Sequence, residues 1–252
     1  MGFHEKRPDA PTIPGSTEQV YASMGNYVFS TRTLLRELYA DAARENSSHD
    51  FGRDILPALV ERGRVAAFVV PGYWQDIGTL DSFYQANLDL VSEDPPFPLE
   101  DPRWPIFTPS TEYPPARIGS GARVHSSIVT HGTIVNGTVE RSVLFPGAVV
   151  EEGAVVRDSI VMGETWIGPD AVLDRVILDK RVHVGRAAVI GTGPSTPNRA
   201  CPEHLSAGIT LVGKETRVPE GITVGRNVRI APDLAEEDFP HDGLASGDVL
   251  ER

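Results

Sequence analysis

The feature that most constrains the fold of this 252-residue chain is an aliphatic repeat with a period of six residues. Neither an α-helix, with 3.6 residues per turn, nor a strand, with a side-chain period of two, produces this spacing. A parallel β-helix does, because each six-residue unit forms a short strand and a turn, and directs its aliphatic side chain to the axis. The repeat comprises Val143, Val149, Val155, Val161, Ile167 and Leu173, then Val172, Leu178, Val184 and Ile190 one residue out of phase, then Val212, Val218, Val224 and Ile230 after an interruption.

The limits of the repeat define the second half of the chain. The pairs Ile118 with Val124 and Ile128 with Ile134 extend it upstream, so we predict a left-handed parallel β-helix over residues 116–230. The Pro- and Gly-rich interruption between Gly191 and Gly208 reads as a loop leaving one coil, with a structural or regulatory role. Residues 231–252 are rich in acids and poor in apolar residues, which predicts a frayed acidic tail.

Residues 1–91 have the pattern of part of an α/β domain. The stretches "QVYASMGNYVFS" and "VAAFVV" are rich in β-branched and aromatic residues and predict strands. The stretches "TRTLLRELYADAAREN", "FGRDILPALVERG" and "GTLDSFYQANLDLVS" predict helices, with Ser30 or Thr31 capping the first and Thr79 the third. We expect the first helix to turn Leu34, Leu35, Leu38 and Ala42 towards a core.

A proline-rich linker is predicted between these two parts, over residues 92–115. Prolines recur every few residues in "EDPPFPLEDPRWPIFTPSTEYPP", which excludes helix interiors and central strands. The segment also has aromatic residues, which a free linker seldom has. We therefore expect it to be extended and partly packed through Trp104, Ile106 and Phe107.

Charge and cysteine content narrow the classes of function. A net charge of -12 argues against nucleic acid or an anionic membrane as a partner, since both attract clustered Lys and Arg. The single cysteine, Cys201, cannot form an intrachain disulfide, and we expect neither a catalytic nor a zinc-binding role for it. With no signal sequence and no apolar run of membrane-spanning length, we expect a cytoplasmic protein.

Three motifs in the first part resemble one enzyme family. In order they are "FHEKRPDAPTIPG", "YASMGNYVF" and "NSSHDFGRDILP…GYWQDIGTLDSFYQANLDL", and hexapeptide repeats follow them. This arrangement is similar to the C-terminal portion of bacterial glucose-1-phosphate adenylyltransferases (ADP-glucose pyrophosphorylases). The resemblance implies a nucleotidyltransferase that joins glucose 1-phosphate to the α-phosphorus of ATP, releasing pyrophosphate and making ADP-glucose for glycogen or starch. Such chemistry depends on positioning and on neutralising charge.

The resemblance also implies a sugar-phosphate site, residue by residue. Lys6 matches the lysine that holds the sugar phosphate, and Glu5 matches a residue that accepts hydrogen bonds from glucose hydroxyls. Asp76 matches a carboxylate that holds a catalytic Mg²⁺, a hard cation that prefers oxygen ligands. Residues implied to line the glucose pocket are Ser23, Tyr27, Asp50, Phe51 and Trp74.

The printed sequence shows no counterpart of two other parts that the family has. These are the Gly-rich, Arg-containing loop that cradles the ATP phosphates and the first metal-binding aspartate. We therefore expect no adenylyl transfer by this polypeptide alone, and ATP binding only if another polypeptide supplies that half. A missing half would also leave residues 20–90 with unpaired strands and uncovered helices.

Several alternatives stay open at this point. The chain could be a fragment, one half of a split enzyme, or a non-catalytic regulatory or scaffolding subunit that contacts a full-length paralogue or copies of itself. A hexapeptide-repeat acyltransferase is another alternative, with His125, His131 or His183 as its catalytic base.

Overall fold

The computed structural model describes residue 3 and residues 11–13, 15–99, 101–107 and 112–252. The chain divides into two compact units, residues 1–74 and residues 75–252. The helices are α1 (Thr31–Ala42), α2 (Leu56–Glu61), which continues directly from a π-helical turn (Phe51–Ile55), and α3 (Leu80–Asp89). A 3₁₀ turn covers Glu236–Asp238.

Nineteen strands occur in the described residues, all in the second unit. They are β1 (Arg117–Ile118), β2 (Arg123–His125), β3 (Ile128–Val129), β4 (Ile134–Val135), β5 (Thr138–Glu140), β6 (Val143–Leu144), β7 (Val149–Val150), β8 (Val155–Arg157), β9 (Ile160–Val161), β10 (Trp166–Ile167), β11 (Val172–Asp174), β12 (Val176–Leu178), β13 (His183–Val184), β14 (Val189–Thr192), β15 (Thr210–Val212), β16 (Arg217–Val218), β17 (Thr223–Gly225), β18 (Arg229–Ile230) and β19 (Val249–Leu250).

These strands form a triangular parallel β-helix, which confirms the architecture predicted from the repeat. Three parallel sheets run along its length: β1-β4-β7-β10-β13-β16, β2-β5-β8-β11-β14-β17, and β3-β6-β9-β12-β15-β18-β19. Each strand pairs with one a full coil away rather than with its neighbour in sequence. The axis is filled by the side chains that the repeat identified, including Ile167, Leu173 and Leu178, all fully buried.

The length of a coil explains why the repeat shifts phase. Equivalent positions on successive coils, such as Ser142 and Ser159, are 17 residues apart, one fewer than three units of six. A strict six-residue spacing therefore drifts off the axis by one residue per coil. Val149 and Val155 are only partly buried, and the residues after them, Val150 and Val156, fill the axis instead.

A ladder of buried serines reinforces one corner of the coil. Ser142 Oγ accepts the backbone N–H of Ser159 at 3.0 Å, and Ser159 Oγ accepts that of Val176 at 3.1 Å. Each hydroxyl also donates to a carbonyl two residues back, of Glu140 and of Arg157 respectively. Both serines are fully buried, and these bonds satisfy polar groups that would otherwise be costly there.

Helix α3 packs on the outer face of the third sheet. That face is apolar, and Tyr84 of α3 forms a cluster there with Ile160, Ile177, Leu205 and Ile209. Thr79 begins the helix with a capping box shared with Ser82, as its position in the sequence predicted. Although the sequence groups α3 with the first part of the chain, its packing partners are in the β-helix.

The interrupting loop leaves the coil between β14 and β15, as expected, but it is held firmly. The fully buried Asn198 donates through Nδ2 to the carbonyl oxygens of Asn227 and Asp248, both at 2.9 Å. Its Oδ1 accepts from the thiol of Cys201 at 3.3 Å. Leu205 of this loop is buried over the third sheet, so the loop is part of the packed structure.

The prediction of a frayed tail is wrong. Strand β19 pairs with β18, and Leu234, Phe239 and Leu244 are buried in the axial core. These few apolar residues are enough to order the segment because they cover the end of the β-helix axis. The last coil would otherwise expose its aliphatic side chains there. The acids lie outside, where Asp238 pairs with Arg252 at 3.0 Å.

The linker also differs from expectation. Trp104, Ile106 and Phe107 are exposed, with Phe107 at 93%. Tyr113 makes the anchoring contact instead, and its hydroxyl donates to Glu164 Oε1 at 2.6 Å. Its ring lies so close to Gly132 that a Cβ there would be 2.6 Å from a ring carbon. Tyr113 thus packs against Gly132 of the coil, where a side chain would clash with its ring.

The first unit contains the first two of the three predicted helices, but its predicted strands are not formed among the described residues. The segments containing "VYASMGNYVF" and "VAAFVV" pair with no other described residue, and a strand requires a partner for its backbone groups. Helix α1 begins at the predicted Ser30 cap. It buries Glu37 and Asp41, whereas Leu35, Leu38 and Ala42, expected in a core, are exposed.

Candidate functional site

Three aromatic rings and a serine form the centre of the candidate site in the first unit. Tyr27 and Phe51 stack with ring centroids 6.4 Å apart and planes 13° from parallel. Phe29 lies 6.1 Å from Phe51. The Tyr27 hydroxyl and Ser23 Oγ are 2.7 Å apart, within hydrogen-bonding distance. Tyr27 and Phe51 are each 38% exposed, so the cluster combines accessible ring surface with two hydroxyl groups.

Asp50 directly precedes Phe51 in the chain. It is the cap of the π-helical turn, where its Oδ1 accepts the backbone N–H of Arg53 at 2.9 Å. That bond fixes the side chain next to Phe51, the first residue of the turn. Three of the expected pocket residues, Ser23, Tyr27 and Phe51, are therefore in contact in this unit, and Asp50 is the neighbour of Phe51 in the chain.

Hydrogen bonds to two carboxylates, Asp41 and Asp54, hold the segment that precedes this turn. Asp41 of α1 accepts hydrogen bonds from Ser47 Oγ at 2.7 Å and lies 2.9 Å from Nδ1 of His49. The contact with His49, followed by that with Ser47, holds the pKa of Asp41 below its usual range. Asp54 accepts from Ser48 Oγ, which lowers the pKa of that carboxyl as well. The segment between α1 and the turn is thus tied at both ends.

A second buried carboxylate joins α1 to the end of α2. Glu37 is 6% exposed and receives hydrogen bonds from Arg36 at 2.7 Å and from Arg62 at 2.9 Å. The bond from Arg36 is the main cause of a lowered pKa at Glu37, with Arg62 adding to it. Glu37 remains a carboxylate and fixes the two helices against each other.

The other expected site residues have different positions. Glu5 and Lys6 lie outside the described residues. Trp74, 43% exposed, is the last residue of the first unit, and no ring contact or hydrogen bond joins it to the other described pocket residues. Asp76 belongs to the second unit, where its Oδ1 accepts the backbone N–H of Gly78 at 2.9 Å in an exposed turn.

The described residues contain no group of three or more His, Cys, Asp or Glu side chains that could hold a metal ion. Asp76 alone was expected to bind one. Its carboxylate is exposed, and only Oδ1 has a hydrogen bond among the described atoms. An exposed carboxylate of this kind leaves an oxygen available to ligate a divalent cation, a hard ion that prefers oxygen ligands.

Two residues near the site were not singled out in the sequence. Phe29 follows Tyr27 by two positions, the spacing that places two side chains on one face of an extended segment. Asp54 follows Asp50 by one helical turn, and its Oδ2 accepts the backbone N–H of Asp50 at 3.2 Å. A spacing of two residues from Tyr27 would have identified Phe29, and a spacing of four from Asp50 would have identified Asp54.

The three histidines considered for acyl transfer lie on the β-helix without a shared site. His183 stacks on Trp166 with centroids 4.3 Å apart, and burial lowers its pKa. His125 is exposed and its Nδ1 lies 3.1 Å from Ser126 Oγ. His131 is exposed at a turn. None of these arrangements gives a reason to favour acyl transfer, and the sequence offers none either.

An open cleft of about 460 Å³ lies beside α3 in the second unit. Arg175 lines it, with its guanidinium carbon 5.1 Å from the centre of the Tyr84 ring and its Nη2 donating to the Ala207 carbonyl at 3.0 Å. These contacts dock α3 and the interrupting loop on the coil. No helix in the described part of the chain has the length and apolar character required to cross a membrane.

Two family models match separate parts of the chain, and the boundary between them falls after α3 rather than at residue 74. Residues 1–93 match the family model described as nucleotidyl transferase, and residues 114–212 match that described as GlmU-like, C-terminal hexapeptide. A glucose-1-phosphate adenylyltransferase of Thermomicrobium roseum is 45% identical over 99% of this chain and 57% of its own length.

Another protein of that name, from Acetivibrio thermocellus, is 40% identical over 92% of this chain and 55% of its own length. One from Photobacterium profundum is 35% identical over 86% of this chain and 57% of its own length. These similarities confirm the resemblance seen in the motifs. The chain spans little more than half the length of the curated relatives it matches.

Proposed function

We propose, from this chain's similarity to glucose-1-phosphate adenylyltransferases and to a nucleotidyl transferase family model, that it forms the sugar-phosphate-binding part of such an enzyme. The reaction transfers an adenylyl group from ATP to glucose 1-phosphate, releases pyrophosphate and forms ADP-glucose. We place it in the cytoplasm, as the sequence predicts.

The observation that carries this proposal is the cluster of Ser23, Tyr27 and Phe51 with Asp50 beside it. A sugar has apolar C–H faces and many hydroxyl groups, so it requires both ring surface and well-placed polar atoms. The exposed faces of Tyr27 and Phe51 supply the first. The hydroxyls of Ser23 and Tyr27 and the Asp50 carboxylate supply hydrogen-bond partners for the second.

The remaining roles follow from the resemblance. Lys6 holds the phosphate of glucose 1-phosphate by a charge-assisted hydrogen bond, and Glu5 accepts from sugar hydroxyls. Trp74 completes the pocket wall. Asp76 is one ligand of a Mg²⁺, which in this chemistry offsets the charge that develops on the transferring phosphoryl group.

The experiment is a calorimetric titration of the 252-residue chain with glucose 1-phosphate. We expect binding, and we expect Lys6→Ala to weaken it by about tenfold to a hundredfold, because a charge-assisted hydrogen bond contributes about 1.5–3 kcal/mol. The matched control is Lys180→Ala, an exposed lysine on the β-helix. Absence of binding, or an equal effect of the two variants, would count against the proposal.

A parallel assay follows ADP-glucose formation from ATP, Mg²⁺ and glucose 1-phosphate. The prediction that the chain alone does not catalyse this step is refuted by any synthesis above a no-protein blank. A chain that binds no glucose 1-phosphate but co-purifies with a full-length adenylyltransferase would instead be the non-catalytic subunit.

A further inference from the structure

His49 has an uncommon backbone conformation at the entrance to the candidate site. Its φ is 57°, and among the described residues of the first unit it is the only one other than glycine with a positive φ. This left-handed region disfavours a residue with a Cβ, and residues that are held there cluster at ligand-binding sites. His49 directly precedes Asp50 and Phe51, two residues expected to line the glucose pocket.

The side chain of Asp41 holds His49 in this conformation. Asp41 is 3% exposed, and its Oδ2 lies 2.9 Å from Nδ1 of His49. Its Oδ1 accepts a hydrogen bond from Ser47 Oγ at 2.7 Å, and that same Oγ accepts the backbone N–H of His49 at 3.1 Å. His49 is thus fixed both through its ring and through its backbone, and both connections lead to one buried carboxylate.

The position of Asp41 is itself well defined. It lies in the last turn of α1, so the anchor belongs to a helix rather than to the segment that it holds. A third donor, Arg44 Nη2, contacts its Oδ1 at 2.8 Å. A buried carboxylate requires such partners, and here two of the three come from the segment that leads to the candidate site.

The chain passes from His49 directly into the π-helical turn that carries Phe51. This turn is closed by its own hydrogen bonds, including that from the Asp54 N–H to the Asp50 carbonyl at 2.9 Å, so it moves as a unit. Because the backbone rotates only about φ and ψ, the angles at His49 set the direction in which the turn leaves α1. They therefore decide whether the Phe51 ring reaches Tyr27, on which it stacks at 6.4 Å.

We infer that His49 and Asp41 are positioning residues of the candidate sugar site. Asp41 keeps His49 in the left-handed conformation, and that conformation places the ring of Phe51 against Tyr27 and the carboxylate of Asp50 at the start of the turn. The pocket is then formed before the ligand arrives, which lowers the cost of binding. The inference rests on the proposed function only for the identity of the ligand.

The first test separates the anchor from the stability of the unit by the variant His49→Gly. Glycine adopts a positive φ without steric cost, which offsets the loss of one hydrogen bond from a largely exposed side chain. We expect an unchanged melting temperature, but a dissociation constant for glucose 1-phosphate that rises about three- to tenfold, because the turn is no longer held.

Two further variants complete the comparison. His49→Asn should restore the dissociation constant to within about twofold of the wild type, since asparagine tolerates the left-handed region and its amide can donate to Asp41. Ala187→Gly is the matched control, because Ala187 is an exposed residue of the β-helix with a φ of 52°. It should change neither the melting temperature nor the dissociation constant.

A second test needs no ligand. Nuclear Overhauser effects between the ring protons of Tyr27 and Phe51, measured in the free 252-residue chain, report the stacking directly. We expect them in the wild type and in His49→Asn, and we expect them to weaken in His49→Gly.

The two tests distinguish the possible failures. A wild type that binds no glucose 1-phosphate counts against the proposed function, and the ring contacts then decide the positioning role by themselves. Ring contacts of equal strength in the wild type and His49→Gly overturn the inference. It is also overturned if binding weakens only in step with a falling melting temperature, or if His49→Asn binds no better than His49→Gly.

Discussion

The hydroxyl of Tyr84 on α3 donates a hydrogen bond of 2.5 Å to the carbonyl oxygen of Asp158 on the β-helix. Tyr84 is 3% exposed, and the Arg175 guanidinium lies over its ring. Asp158 sits at a corner of the coil with a φ of 45°. One side chain therefore joins the helix to a backbone position that is fixed by the turn of the coil.

Removing this hydroxyl should destabilise the second unit. Tyr84→Phe leaves the ring packing in place but removes the donor, which we expect to lower the free energy of unfolding by about 1–2 kcal/mol. Urea denaturation followed by circular dichroism measures the change. Tyr39→Phe, at a ring that is 74% exposed, is the control. Equal midpoints for the two variants would show that the Tyr84 bond contributes nothing.

The same residue predicts a pH dependence at alkaline pH. Burial raises the pKa of Tyr84 from 10.0 to about 12. The unfolded phenol ionises first, so the stabilisation present below pH 10 is lost as pH rises from about 10 to about 12. By about pH 11.5 the loss should reach about 2 kcal/mol.

Unfolding free energies of the wild type and Tyr84→Phe, compared at about pH 9 and about pH 11.5, isolate this contribution from that of other titrating groups. The advantage of the wild type at the lower pH should disappear at the higher one. An advantage that is constant with pH would mean that the phenol titrates normally in the folded chain.

The serine ladder predicts that losing one small hydroxyl destabilises the β-helix at least as much as losing that of Tyr84. Ser159→Ala removes the acceptor of the Val176 N–H and the donor to the Arg157 carbonyl inside a dry corner. We expect a loss of about 1–3 kcal/mol in the free energy of unfolding, since a buried donor loses its partner. Thermal unfolding of Ser159→Ala and of Ser206→Ala, an exposed serine in the interrupting loop, makes the comparison. Similar melting temperatures for both would refute the role of the ladder.

A glycine on the same β-helix should tolerate no side chain. Gly191 has a φ of 86°, and an added Cβ would overlap the carbonyl oxygen of Asp174 on the preceding coil. Because that obstacle is backbone, Gly191→Ala should cost about 3 kcal/mol or more. Gly121→Ala is the control, since nothing lies within 4 Å of its Cβ position and its φ is ordinary. Expression yield and melting temperature distinguish the two, and equal stability would contradict the packing described for Gly191.

The sugar site makes a prediction for ligand binding. Tyr27→Phe removes the hydroxyl that lies 2.7 Å from Ser23 but keeps the ring stacked on Phe51. Under the proposed function, the dissociation constant for glucose 1-phosphate should rise about three- to tenfold, as expected for one neutral hydrogen bond. Calorimetric titration measures it, with Tyr21→Phe, an exposed tyrosine of the same unit, as the control. A value unchanged from the wild type would remove Tyr27 from the site.

Regular local patterns were readable from the sequence because one residue type recurs wherever the geometry recurs. The six-residue spacing predicted the β-helix, since only its axis places an aliphatic side chain at every sixth position. The caps Ser30 and Thr79 were identified because a hydroxyl before a helix satisfies amides within the next turn. The motifs around Tyr27, Asp50 and Asp76 predicted the candidate site for a different reason, namely resemblance.

Features that depend on residues distant in sequence were decided only by the tertiary structure. The apolar pattern of α1 predicted the wrong buried face, because its partners in the described chain are Arg62 and His49 rather than a sheet. The acidic tail is ordered because Leu234 and Phe239 find the open end of the axis. The drift from Val149 to Val150 follows from the 17-residue coil, which strand pairing fixes. Composition and local period thus determined which elements this chain can form, while burial and backbone pairing, which need a partner in space, determined which surfaces they use.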